Sequence, residues 1–208
     1  NTRTLLHEAI PLTGTISSGT YSDENIKTFS HGMFQSVYDY PYLSSSANHI
    51  FDITQGYASD SSLSGTSAAH TQNAKKINIY NQMAQVLVGH DVNGNIQNFD
   101  QDGNIAAGGT KMKEVFFLNF ARLLSKDEIK KDSFRVSLLT GGTPDNRGES
   151  TFTRTIGDYG ASTSYLVNSP AGEYGILYTS SAAANTNSGC GLIYYQAGVA
   201  VITGGVFS

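Results

Sequence analysis

Gly, Pro, Ser and Asn interrupt this chain every few residues, and the pieces between them are short and rich in Ile, Val, Phe and Tyr. A chain so punctuated has room for many strands of a few residues joined by turns, and for very few long helices. Its 208 residues suit one domain with a single core. A hydrophobic fraction of 39% with 11% aromatics is too rich for a disordered chain.

Residues 1 to 74 read as irregular β structure with long loops, an extended arm or the first part of a sandwich. Within them Ala58 to Ala74, mostly small and polar, is the best linker candidate. The pattern then changes. Ile77, Tyr80, Ala84, Leu87 and Val88 fall at helical spacing with Gly89 in a C-cap position, which predicts a helix near 75–88. Asn93-Gly94 and Asp102-Gly103 predict two consecutive hairpin turns. Lys111 to Leu124 alternates between two mainly apolar faces and predicts a strand buried on both sides. Ser125 and Glu128 have capping-box spacing, which predicts a helical turn in SKDEIKKDS. Strands are then expected over Ser133 to Thr140, ended by GGTPDNRG, and within Thr151 to Ile156, Glu173 to Thr179 and Leu192 to Thr203. The expected fold is mainly β: an antiparallel β-sandwich or partly open barrel with one longer inserted helix and an extended, loop-rich N-terminal arm. The division 1–74 and 75–208 is one of parts within a single structural domain.

Charge is scarce. Lys, Arg, Asp and Glu make up 14% of the chain, against roughly 25% in a typical domain. The net charge of -4 argues against the concentrated basic face that nucleic acid requires. No run reaches the roughly 18 apolar residues of a membrane span, and NTRTLLHEAIPLTG lacks the pattern of a signal peptide, so a soluble protein is expected. Eleven of the 30 charged residues lie between Lys111 and Arg135, which reads as a solubilising edge, whereas Tyr174 to Ser208 have none. That final segment is expected to be buried, against the core or against a neighbouring subunit.

The sharpest local motif is Asn98 to Ile105, NFDQDGNI, which matches the first eight positions of a calcium loop. Position twelve should be a bidentate Glu and is Gly109, so a plain Asp-Gly hairpin is the better reading. Cys190 stands alone, has no base placed for it by any signature, and reads as a small, partly buried thiol leading into a strand. His7, His31, His49, His70 and His90 show no i, i+4 pair that would place two ligands on one helical face. GxSxG, HExxH, GxxxxGK[ST] and GxGxxG are absent. No catalytic, metal-binding or cofactor-binding residue is assigned. Tyr38, Tyr40 and Tyr42 alternate, which would set them on one side of an extended strand as a recognition strip or as packing.

At KINIYNQMAQVLVGHDVNGNIQNFDQDGNI, EVFFLNFARLLSKDEIKKDSF, GEYGILYTS and GLIYYQAGVAVITGGVF the chain resembles virion structural proteins of tailed bacteriophages, nearest those of marine T-even-like phages with contractile tails. The likeness rests on β texture: a strand, a short basic turn and "SF" plus a strand over Glu114 to Leu139, and two closing strands over Leu192 to Phe207. It implies a non-enzymatic component of tail, baseplate or neck, located in the virion as a symmetric homo-oligomer or part of a larger assembly. Its partners would be other virion proteins and copies of itself, with no nucleic acid, membrane or cofactor. The uncharged C-terminal strands and the aromatic N-terminal segment would be its interface material. The alternative is a β-sandwich module of a tail fibre that binds a glycan or receptor.

Overall fold

The computed structural model describes residues 25–64, 71–105, 108–121, 127–140, 152–186 and 188–207. Residues 1–24 and 65–70 of the expected arm, with His7 and His70 among them, and the GGTPDNRG turn lie outside them.

The chain enters one side of an antiparallel sheet as a meander of β1 (Ile26–Thr28), β2 (Gln35–Tyr38) and β3 (His49–Tyr57). Helix α1 (Thr71–Leu87) then crosses one face, and β4 (Glu114–Asn119) pairs with β3. A separate hairpin follows, β5 (Arg135–Thr140) with β6 (Phe152–Gly157), and then the short α2 (Ala161–Ser164). The last four strands are β7 (Leu166–Ser169), β8 (Gly172–Leu177), β9 (Gly191–Tyr194) and β10 (Val199–Thr203), with α3 (Ser181–Asn185) between β8 and β9. They return as a second meander, so that β10 closes against β4. The order across the eight-stranded sheet is β1-β2-β3-β4-β10-β9-β8-β7, an open sheet rather than a closed barrel. The mainly β, antiparallel architecture with one longer helix is as the sequence predicts. No described helix is long and apolar enough to cross a membrane.

Both faces of the sheet are covered at its centre, which is why β4, β9 and β10 read as nearly continuous apolar runs rather than as alternating ones. Val115 and Phe117 of β4, Leu192 and Tyr194 of β9, and Val199 and Val201 of β10 pack under α1 and the segment around Phe99 and Met112. Their sequence neighbours Leu118, Ile193, Ala200 and Ile202 face the other way, against Ile129, Phe134 and Ile156 beside the β5–β6 hairpin. The predicted doubly buried strand is therefore β4, the third layer being the small hairpin.

Helix α1 begins four residues before the predicted start and buries Tyr80, Ala84, Leu87 and Val88. It ends as the glycine spacing predicts: Gly89 adopts φ +89° and its N–H donates to the Ala84 carbonyl at 2.9 Å. The helix lies close on β3, because Gly56 has no side chain. A Cβ there would stand 2.9 Å from the Phe117 ring and 3.0 Å from the Tyr80 backbone nitrogen. Part of the expected linker is tethered, Ser61 and Ser62 both donating to Glu114 Oε1, at 2.8 and 3.1 Å.

Two expectations are corrected. Residues 127–133 contain no helical turn; the Ile129 N–H donates instead to the Tyr195 carbonyl at 3.1 Å, a long-range bond that local capping chemistry cannot foresee. The tyrosines do not share a strand. β2 stops at Tyr38, Asp39 accepts from the backbone and side chain of Asn48 at 2.6 and 2.9 Å, and Pro41 offers no N–H to a ladder. Tyr42 folds back to 6.2 Å from the Tyr38 ring, while Tyr40 points to solvent. The uncharged C-terminal strands are buried in the core of the chain itself, one of the two placements expected for them: β9 is buried throughout, and β10 at every position but Thr203.

Candidate functional site

The calcium-like loop has the turns its sequence asks for, with a lysine where a cation would sit. Gly94 and Gly103 take φ +84° and +73°, and single bridges close the two segments, His90 to Ile96 and Asp100 to Lys111. Asp100 Oδ1 accepts from the Asp102 N–H at 3.1 Å, and Asp102 Oδ1 from the Asn104 N–H at 2.9 Å. The Lys111 ammonium lies 2.6 Å from Asp100 Oδ2 and 3.4 Å from the Asn104 carbonyl. It thus touches the carboxylate of loop position three and the carbonyl of position seven. Burial raises the Asp100 carboxyl, as does its side-chain hydrogen bond with Asp102, while Lys111 pulls it down. Gly109, at position twelve, presses on this group: a Cβ there would lie 2.5 Å from Asp100 Oδ2. With its oxygens already holding an ammonium, the loop should ignore calcium. Millimolar Ca²⁺ is expected to leave the melting temperature unchanged within about 1 °C, and a rise of several degrees would overturn that reading.

Among the described residues no three His, Cys, Asp or Glu side chains converge as a metal site. His31 stacks on Phe29 at 5.3 Å in the β1–β2 turn, and its Nδ1 accepts from the Met33 N–H. His49 Nε2 lies 2.7 Å from Asp52 Oδ1, which also accepts from the Ser36 hydroxyl at 2.6 Å. Serine and histidine here both point at the carboxylate, so the histidine does not contact the serine hydroxyl as a catalytic base would. Cys190 is buried, and burial pushes its thiol up to about 12, which keeps it protonated and unreactive at neutral pH.

The charge-dense middle of the chain holds a network that sequence reasoning missed. Asp158, fully buried after β6, accepts through Oδ2 from the Asp132 N–H (2.7 Å) and the Tyr195 hydroxyl (3.0 Å). Through Oδ1 it accepts from the Phe134 N–H (2.9 Å) and Arg135 Nη1 (2.9 Å). Burial raises its carboxyl above the ordinary range, against the pull of these four donors. Lys131 pairs with Glu173 at 2.5 Å and stands over the rings of Tyr165 and Tyr195. Burial opposes its charge, but Glu173 and Glu128 outweigh that and raise its pKa. The arrangement is a clamp joining the hairpin layer to the sheet.

The described surface also has a cleft of about 260 Å³ at the β1–β3 end. Its walls come from the β1–β2 turn (Gly32, Met33, Phe34), from β3 (Ile53, Thr54, Gln55), and from Phe116 of β4 and Lys76 of α1. Thr28 and Gln35 complete the lining and are joined to each other, Gln35 Nε2 donating to Thr28 Oγ1 at 3.1 Å. Thr54 donates to the Met33 carbonyl, which fixes the turn against β3. Lys76 is the one charged residue of the lining, and burial lowers its pKa. The lining thus brings hydroxyl, amide and aromatic groups together around a single cation.

No family model, curated protein or solved structure matches the chain. The class defined by fold and surface is a mainly β protein with an open antiparallel sheet, fully covered at its centre and sparsely covered at its first three strands.

Proposed function

We propose that this chain is a non-enzymatic structural component of a tailed-phage virion, in tail, baseplate or neck, which associates with copies of itself and with neighbouring subunits through the β1–β3 end of its sheet. The phage setting rests on the resemblance. The observation that carries the associating role is uneven burial. β1 has no buried residue, β2 has Ser36, and β3 has Gly56 and Tyr57 at its far end. Ile26, Tyr40 and Leu43 stand exposed in the same region, Leu43 at 88%. A sheet end so rich in apolar and aromatic side chains, with its edge strand β1 paired among the described residues to β2 alone, suits a partner subunit. Sedimentation of the purified chain should show a defined oligomer, and Leu43→Lys should weaken its assembly about ten-fold or more. A compact monomer at high concentration, insensitive to Leu43→Lys, would remove the proposal. Antibody against the chain should decorate intact particles at regular positions.

A second reading, a glycan- or receptor-binding module of a tail fibre, is favoured by the cleft, whose hydroxyl, amide and aromatic lining suits a sugar.

A further inference from the structure

We infer that the cleft at the β1–β3 end recognises an acidic sugar, its carboxylate read by Lys76 and its hydroxyls by the Gln55 and Gln35 amides; this rests on the glycan-binding reading above. Three observations converge on it. Lys76 is half-buried on α1 and lines the cleft, and its ammonium has no ion pair or hydrogen bond among the described residues. The other charges of this region are already engaged: Asp52 holds His49, and Lys27 stands over Phe29. An ammonium taken partly out of water without a counter-ion is poised for an anionic ligand.

The rest of the lining argues for a sugar over a bare anion. The Gln55 side-chain amide likewise has no hydrogen-bond partner among the described residues, and Gln35, with one amide hydrogen on Thr28, keeps its side-chain oxygen free of described partners. Such amides pair with hydroxyl groups as donor and acceptor at once. Phe34 and Phe116 offer apolar surface for the C–H face of a pyranose ring. The volume suits one sugar residue, not an extended chain.

The test is calorimetric titration of the full chain with glucuronic acid, glucose and acetate, in wild type, Lys76→Met and Gln55→Leu. Glucuronate is expected to bind saturably and about ten-fold or more tighter than glucose or acetate. Lys76→Met should bring glucuronate down to the level of glucose with unchanged melting temperature, and Gln55→Leu should weaken both sugars. Added NaCl should weaken glucuronate selectively. Equal binding of glucose and glucuronate, or full affinity in Lys76→Met, overturns the acidic-sugar inference and leaves the glycan reading standing. Acetate binding as tightly as glucuronate overturns the sugar. No saturable binding of either sugar overturns both.

Discussion

Asp158→Ala should cost about 4 kcal/mol, a large share of the roughly 5–15 kcal/mol that holds an ordinary domain folded. Each oxygen of this fully buried carboxylate accepts one backbone N–H and one side-chain donor. Truncation therefore strands the Asp132 and Phe134 amides, the Tyr195 hydroxyl and the Arg135 guanidinium together. A single buried donor left unsatisfied costs about 1–3 kcal/mol, and losses within one network are not additive. Asp158→Asn should recover only part of the loss. Placed at the Oδ1 position, its NH2 meets the Phe134 N–H and the Arg135 guanidinium; placed at the Oδ2 position, it meets the Asp132 N–H, while the Tyr195 hydroxyl can turn to accept from it, so at least one bond becomes a repulsion. Asp60→Ala is the control: its pair with Lys113 spans 2.8 Å, but both side chains are about half exposed, and the change should stay within about 0.5 kcal/mol. Urea denaturation followed by circular dichroism gives the three values. If Asp158→Ala is no worse than Asp60→Ala, the carboxylate does not clamp the hairpin layer.

The same network shows where sequence reading stops. Between Lys111 and Arg135 the dense charges look like a solvated edge, and locally nothing contradicts that. The partners that change their meaning stand far along the chain: Glu173 for Lys131, Asp158 for Arg135, Asp60 for Lys113. Periodicity reports which face of an element is apolar, and it is blind to which carboxylate a tertiary fold brings opposite a cation. Helix α1 and β4 were legible because their own residues encode both element and burial, as did the glycines that end α1 and turn at Asn93-Gly94. Tyr38, Tyr40 and Tyr42 misled for the converse reason. Alternation specifies a strand only where a neighbour pairs with it, and here Asp39 and Asn48 close a turn first.

The candidate sites divide in the same way. The NFDQDGNI match correctly marks a turn held by its own carboxylates, yet Lys111, thirteen residues after Asn98, decides what those oxygens hold. Nothing in the sequence marks the cleft. Its residues come from β1, β2, β3, β4, α1 and a turn, each unremarkable where it stands, and the lone cation among them is one of two adjacent lysines early in a helix.

Val201→Lys should abolish folding. Val201 is fully buried in β10, opposite Phe117 on one side and Leu192 on the other, on the face covered by α1. Burying a valine contributes about 1.5–3 kcal/mol, which the exchange forfeits, and the longer side chain must also overpack the layer beneath the helix. Its ammonium would enter an apolar cluster with no carboxylate; it either stays unpaired there or loses its proton, at a cost of several kcal/mol. The sum approaches the whole stability of a domain this size. Val199→Lys tests the position dependence. Val199 begins the strand directly after the tight turn at Gly198 (φ +67°) and is 6% exposed, so a lysine can carry its charge out along its stem and should cost less, about 2–3 kcal/mol. Val167→Lys, on the edge strand β7 and 67% exposed, should be nearly neutral. Soluble yield and thermal melting of the three variants should therefore rank Val201 far below Val199 and Val199 below Val167. The ranking separates two meanings of the missing charge after Glu173. If the segment were an assembly surface, lysines at Val199 and Val201 would leave a folded monomer that fails only to associate. Loss of the monomer itself ties the charge-free sequence to the core, and leaves association to the β1–β3 end.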